Sequence, residues 1–246
     1  MVKTTVPKSS DVLLKSSFEE FLNRSNVYKE KFLQKHFNCG FDGYSYMGQK
    51  DSSNQYDTDL LHSFVLSEFS KNERFPVEFH SFLKSEWPVL VSKIKMIELK
   101  LIEQLGIREL RGFYKHSIGH MVSCNYYPKL NTSVTKAPVR LSKHIDVSLF
   151  TVFVFGLEEG FSFQNYKNQR QALFSADNIV VFPGYLLEVL SKGKYKALQH
   201  QVDFFNVHEA RFSFAFFSLP KPQKKLKFMD MEFTSEQYFQ KYLSLF

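Results

Sequence analysis

Residues 144–155, HIDVSLFTVFVF, decide the architecture of this chain. From Val147 to Phe155 the run is dense in β-branched and aromatic residues, and it closes at the turn GLEEG, 156–160. It is far shorter than the ~20 apolar residues of a membrane-spanning helix, so it reads as a strand. Similar short runs surround it. HMVSCNYY (120–127) ends at Pro128, FSFQNY (161–166) at a polar turn, and NIVVF (178–182) at Pro183-Gly184. ALQHQVDFF (197–205) and RFSFAFFSL (211–219) complete the series. Consecutive short strands with an aromatic interior predict a jelly-roll sandwich or barrel, a layout that brings side chains from distant strands to one mouth.

Upstream of residue 120 the periodicity is helical. DVLLKSSFEEFLNR (11–24) predicts a helix capped by Ser10 or Asp11, and NVYKEKFLQKHF (26–37) a second, short one. FPVEFHSFLKSEWPVLVSKIKMIELKLIEQLG (75–106) reads as one long helix kinked at Pro88 and stopped by Gly106. Residues 38–60 are Gly-rich and polar, which predicts a loop region. The tail TSEQYFQKYLSLF (234–246) predicts a helix, with Thr234 or Ser235 capping together with Glu236.

A length of 246 residues suits one large domain, and 43% hydrophobic content is enough for a sizeable core. With 28 Phe and 12 Tyr, much of that core must be aromatic. The opening MVKTTVPKSSD lacks the apolar stretch of a secretory signal, and Cys39 and Cys124 are too few for a disulfide framework. The cysteines, read as small buried residues, fit a reducing cytoplasm, and a monomer with no membrane partner is expected. The net charge of +7 is spread along the chain except at KPQKKLK (221–227). A spread surplus is a solvated surface that also favours an anionic substrate, and it argues against nucleic acid as partner.

The chemistry lies in His144 and Asp146, joined by His200 from a distant strand. Alternate residues of a strand share a face, so His144 and Asp146 can point at one metal. Two imidazoles and one carboxylate form a facial set for Fe(II) that leaves coordination positions open. Downstream, Arg211 and Ser213 offer a rigid fork and a hydroxyl donor suited to a carboxylate.

These residues sit in an ordered series: NYYP at 125–128, HID at 144–146, PGYLLEVLSKGKYKALQH at 183–200 and RFS at 211–213. The series resembles the Fe(II)/2-oxoglutarate-dependent oxygenases, in the branch of isopenicillin N synthase and the plant-type dioxygenases. The resemblance covers roughly residues 27–220 and weakens toward the N-terminus. It implies a distorted double-stranded β-helix, an α+β fold that is mainly β with helices outside. In that reading residues 1–246 form a single oxygenase domain, with 1–115 a mainly helical support, 120–220 the catalytic core and 221–246 a tail.

The resemblance further implies that His144, Asp146 and His200 bind Fe(II). Arg211, Ser213 and Tyr127 would hold the distal carboxylate of 2-oxoglutarate, with Asn125 near its other end. The implied reaction hydroxylates, desaturates or cyclises a small molecule with O2, releasing succinate and CO2, with ascorbate as a reductant. The chain departs from the family pattern at Tyr185 (usually Asp), Lys192 (usually Asn), Ala197 (usually Ser) and Ile145 (usually Thr). A strand near the family's usual N-terminal region is not recognisable.

Phe217 is expected to face the same way as Arg211 and to reach substrate. It occupies the position of a second arginine in the nucleic-acid demethylase branch, which turns the reading toward a small molecule. Tyr44 and Tyr46 are further pocket candidates, and His116 and His120 have the i, i+4 spacing of half a zinc site. Two rival readings remain: an iron oxidase like isopenicillin N synthase that uses no 2-oxoglutarate, and a non-catalytic binding relative.

Overall fold

A computed structural model describes residues 1–37, 41–49, 60–129, 139–157, 160–164, 169–173, 177–203 and 208–245. Cys39, the whole polar run at 50–59 and parts of several strand connections lie outside these residues. The chain opens with β1 (Val2–Pro7), α1 (Val12–Leu22), α2 (Asn26–Glu30), β2 (Gly43–Ser45) and β3 (His62–Ser67). Three helices follow: α3 (His80–Ser85), α4 (Trp87–Leu105) and α5 (Leu110–Ser117). The strand series then runs β4 (Ile118–Tyr127), β5 (Val139–His144), β6 (Phe150–Phe153), β7 (Phe161–Gln164), β8 (Arg170–Leu173) and β9 (Asn178–Pro183). After α6 (Tyr185–Leu190) come β10 (His200–Asp203), β11 (Arg211–Pro220), the hairpin β12 (Lys225–Phe228) and β13 (Met231–Thr234), and α7 (Ser235–Leu243).

Two antiparallel sheets make the jelly roll. The larger has the order β1-β9-β6-β11-β4-β3-β2 and the smaller β5-β10-β7-β8. Phe153, Phe161, Val180, Phe182, Leu198 and Ala215 pack between them. The expected β core is therefore present, but the change of periodicity near residue 120 marks no boundary in the sheet. β1, β2 and β3 come from the helical half and lie at both ends of the larger sheet. β3 escapes a pattern reading because it is buried on both faces from Ser63 to Ser67 and shows no alternation.

Helices cover the outer face of the larger sheet. On β11, Phe212, Phe214 and Phe216 alternate with Arg211, Ser213, Ala215 and Phe217, and the two sets take opposite faces. The outer set meets the helices: Phe18 of α1 touches Phe212 edge-on, with ring centroids 5.9 Å apart, and Trp87 of α4 stacks on Phe216 at 6.0 Å. α1 is placed by Leu14, Phe18 and Phe21, spaced as one helical face and fully buried. Its N-cap is Asp11, whose side chain makes no capping bond.

The expected long helix is two. α3 ends at Ser85, and α4 starts at Trp87 with Pro88 in its first turn, where a missing N–H costs nothing. Pro88 begins a helix and does not kink one. Gly106 ends it in the left-handed region at φ 68°, as expected. At the tail, the capping box on α7 pairs Thr234 with Gln237, not Glu236, because the reciprocal bond needs the third residue of the helix.

His116 and His120 do not converge on a metal. His116 lies on α5 and His120 is buried in β4, between two carboxylates. Its Nδ1 lies 3.0 Å from Glu68 Oε2 and its Nε2 3.0 Å from Glu98 Oε2, while Tyr114 donates to the same Glu98 oxygen at 2.5 Å. Burial alone would lower the His120 pKa, but the two carboxylates raise it above the ordinary histidine range. Burial likewise opposes ionisation of Glu68, but His120 and Lys95 outweigh it and hold Glu68 down to about 2.

Histidine with a raised pKa stabilises the fold below its ordinary range, and this contribution fades as pH rises through the folded value. The Glu68 contribution is present above the carboxylate range and fades only toward pH 2. Melts of wild-type protein should therefore show an alkaline decline in Tm that His120→Gln lacks. His120→Gln should also cost about 3–5 kcal/mol near neutrality, since it strands Glu98 as a buried, unpaired charge. A variant melting like wild type at every pH would refute the charged pairing.

Candidate metal centre

His144, Asp146 and His200 meet although 54 residues separate Asp146 from His200 (200 − 146). β5 and β10 are antiparallel neighbours, and their register sets His200 directly opposite His144. Asp146 lies beyond the end of β5, in the turn before β6. It reaches the metal position by that turn and not, as strand alternation predicts, by sharing a strand face with His144.

One ligand atom from each residue lies within 4.8 Å of the others. Asp146 Oδ1 is 3.5 Å from His144 Nε2 and 3.7 Å from His200 Nε2, and the imidazole centroids are 4.3 Å apart. Backbone carbonyls choose the tautomers. His144 Nδ1 is 2.7 Å from the Ser142 carbonyl and His200 Nδ1 is 3.0 Å from that of Leu198. A carbonyl only accepts, so both Nδ1 atoms carry the proton and both Nε2 lone pairs face Asp146. Thr151 donates its hydroxyl to Asp146 Oδ2 at 2.6 Å, leaving Oδ1 turned to the histidines.

Charge follows burial. His200 is pushed down to about 4, mainly by burial, and is a neutral donor at neutral pH. Burial would raise the Asp146 carboxyl, but the two histidines and the Thr151 hydroxyl outweigh it and hold it below the ordinary carboxylate range. Two neutral nitrogens and one anionic oxygen, aimed at a common point, are a donor set that fits Fe(II).

Beside the triad is a cavity of about 270 Å³. A larger depression, about 820 Å³ and lined by Glu68, Lys71 and Lys115, lies away from the triad. The smaller cavity is the candidate site because it contains the only grouping among the described residues with metal-ligand geometry. Its floor is a two-strand patch in which β11 and β4 face each other residue by residue. Arg211 is opposite Tyr127, Ser213 opposite Asn125, Ala215 opposite Ser123 and Phe217 opposite Met121, and all eight line the cavity. The Arg211 guanidinium lies 5.3 Å from the centre of the Tyr127 ring. Leu61, Tyr127, Val202 and Leu141 form a small apolar cluster around that end.

Tyr44 and Tyr46 are not in this cavity. Tyr44 is buried in the core with its hydroxyl 2.9 Å from His62 Nδ1, and Tyr46 is exposed. Sequence reasoning also passed over several residues that are present: Thr151 behind the carboxylate, and Gln34, Phe41, Tyr242 and Leu243 on the wall. The one available signal was the i, i+4 pair Tyr238 and Tyr242, a polar-tipped stripe on an otherwise ordinary helix.

Residues 118–220 match the 2OG-Fe(II) oxygenase superfamily. Among curated proteins, the chain is 24% identical over 176 residues to the bi-functional coumaroyl CoA and feruloyl CoA ortho-hydroxylase Diox1 of Ruta graveolens, covering 67% of this chain and 46% of that protein. It is 29% identical over 126 residues to leucoanthocyanidin dioxygenase of Petunia hybrida, covering 49% of this chain and 28% of the other. The chain thus spans about half, or less, of the curated relatives it matches. Among solved structures, a full-length Neurospora crassa protein in complex with alpha-KG superposes with a TM-score of 0.74 at 18% identity, over 98% of this chain and 84% of that one. JOX2 in complex with 2OG, Fe and JA gives 0.73 at 19%, over 96% and 75%. These likenesses establish the fold as a double-stranded β-helix.

Proposed function

We propose, from the match of residues 118–220 to the 2OG-Fe(II) oxygenase superfamily, that this protein is an Fe(II)- and 2-oxoglutarate-dependent oxygenase acting on a small molecule. The observation that carries the reading is the convergence of His144, Asp146 and His200 beside a cavity that also presents Arg211, Ser213 and Tyr127. His144, Asp146 and His200 would hold the iron through Nε2, Oδ1 and Nε2. When bound, iron would couple the four-electron reduction of O2 to two two-electron oxidations, that of 2-oxoglutarate to succinate and CO2 and that of the substrate, one oxygen atom leaving in succinate and the other entering the product or leaving as water.

The protein's part is binding and exclusion of water. Arg211 presents its fork to the distal carboxylate of 2-oxoglutarate, and the hydroxyls of Ser213 and Tyr127 add donors without a second charge. Leu61, Leu141 and Val202 close that end with apolar surface, which strengthens the charge pairing. Asn125, one pair further along the floor, faces the remainder of the co-substrate. Phe217, Met121 and Phe41 line the rest of the cavity and suit a small substrate with apolar or aromatic surface.

Protein reconstituted with Fe(II) and ascorbate should bind 2-oxoglutarate and convert it slowly to succinate in air, faster when an acceptable substrate is present. Absence of both binding and succinate would reject the proposal in favour of an oxidase whose Arg211 grips the substrate's own carboxylate.

A further inference from the structure

The turn that carries Asp146 is held at each of its peptides. The Ile145 carbonyl accepts from the Tyr242 hydroxyl at 2.8 Å, and the Asp146 carbonyl from the Tyr185 N–H at 2.7 Å. The Val147 carbonyl accepts from the Tyr238 hydroxyl at 2.5 Å, and the Ser148 carbonyl from the Leu186 N–H at 3.0 Å. Two donors are thus backbone groups at the start of α6, and two are phenols from one face of α7. Gly184 lets α6 come this close, because a Cβ there would run into the carbonyls of Asp146 and Ser148.

The phenols are themselves fixed. The Tyr185 ring stacks on Tyr238 with centroids 6.0 Å apart and lies 6.1 Å from Tyr242. Tyr238 is buried at 3% exposure, and the neighbouring Phe239 meets Phe41 of the cavity wall edge-on. The need for such restraint follows from topology. His144 and His200 belong to paired strands whose ladder sets their separation, whereas Asp146 lies outside every strand.

We propose that Tyr238 and Tyr242 are positioning residues for the metal centre, clamping the two carbonyls that flank Asp146 so that Oδ1 stays aimed at the histidine nitrogens. The inference rests on the metal site proposed above. It makes α7 part of the metal's support as well as a wall of the cavity, although neither phenol is a ligand.

The test uses Co(II), whose visible spectrum reports coordination geometry, titrated into metal-free full-length protein. Outer-shell hydrogen bonds made directly to ligating side chains are worth about 10- to 100-fold in metal affinity, and the paired phenols, which act through the neighbouring carbonyls, are expected at the lower end. The double variant Tyr238→Phe/Tyr242→Phe should lose at least about 10-fold in Co(II) affinity and shift the visible bands, with each single variant between it and wild type. Tyr195→Phe is the control, since its hydroxyl makes the same type of bond, 3.0 Å to the Leu105 carbonyl, away from the triad. It should bind Co(II) as wild type does. A purely structural role would lower the melting temperature of the metal-free protein without moving affinity or spectrum, and that result overturns the proposal. If the double variant does not fold, the single variants decide by the same criterion. Wild-type protein that binds no Co(II) refutes the metal site and the clamp together, while equal binding by wild type and variants refutes only the clamp.

Discussion

Asp146→Ala should abolish Fe(II)-dependent succinate formation while leaving the fold intact. The carboxylate is the only anion among the three converging ligands, and a metal held by His144 and His200 alone loses a bond and its charge compensation. Stability sharpens the expectation. A ligand that binds only the folded state stabilises it by about 2.7 kcal/mol at 100 times its Kd. Wild-type protein should therefore melt higher with saturating metal, and the variant should show no such shift. Its metal-free form should melt no lower than wild type by more than a cavity's worth, because the substitution also removes a carboxylate buried to 6% exposure. Calorimetry with and without metal, beside a succinate assay, decides the matter. Undiminished turnover would sink the site assignment.

Arg211→Ala should raise the 2-oxoglutarate concentration needed for half-maximal rate by about two to three orders of magnitude, since truncating one partner of a buried charge pair costs about 2–5 kcal/mol. Metal affinity should hardly change, because Arg211 lies on the β11 floor and not among the three ligands. Arg211→Lys should fall between the two, keeping the charge and losing the two-pronged geometry. Titrating 2-oxoglutarate at fixed Fe(II) separates these outcomes. An unchanged requirement in Arg211→Ala would mean that the guanidinium holds something other than the co-substrate.

What the sequence made legible was the part coded by strict local rules. Runs of β-branched and aromatic residues bounded by turn residues disclose β4, β9, β10 and β11, and with them the strands bearing Tyr127, His200, Arg211 and Ser213. The triad was legible from residue type and order. Less legible were features set by partners distant in the chain. β5 carries the polar run VRLSKH, β3 has no alternation, and α6 hides within the motif PGYLLEVL. The break at Glu86 depends on Pro88 standing in a first turn, which periodicity does not resolve from a kink. Asp146 does converge with the two histidines, but by a turn and not by the shared strand face that alternation predicts. Short H-x-D spacing also suits a turn, and here the turn is held by tyrosines about 90 residues downstream (238 − 147 = 91; 242 − 145 = 97).

The ladder between β4 and β11 has one further consequence. From 211 to 217 and from 121 to 127 its odd-numbered residues form the cavity floor, and its even-numbered ones, Phe212, Phe214 and Phe216 with Tyr126, Cys124 and Val122, face the helices. Deleting a single residue at the start of β11 would let the backbone bonds re-form one step along, yet every side chain would change sides. The cavity would then be paved with phenylalanine, while an arginine and a serine pressed into the aromatic layer under α1 and α4. The strand has no neighbouring frame in which it works in part: evolution can alter this floor by substitution, opposite pair by opposite pair, but not by insertion or deletion.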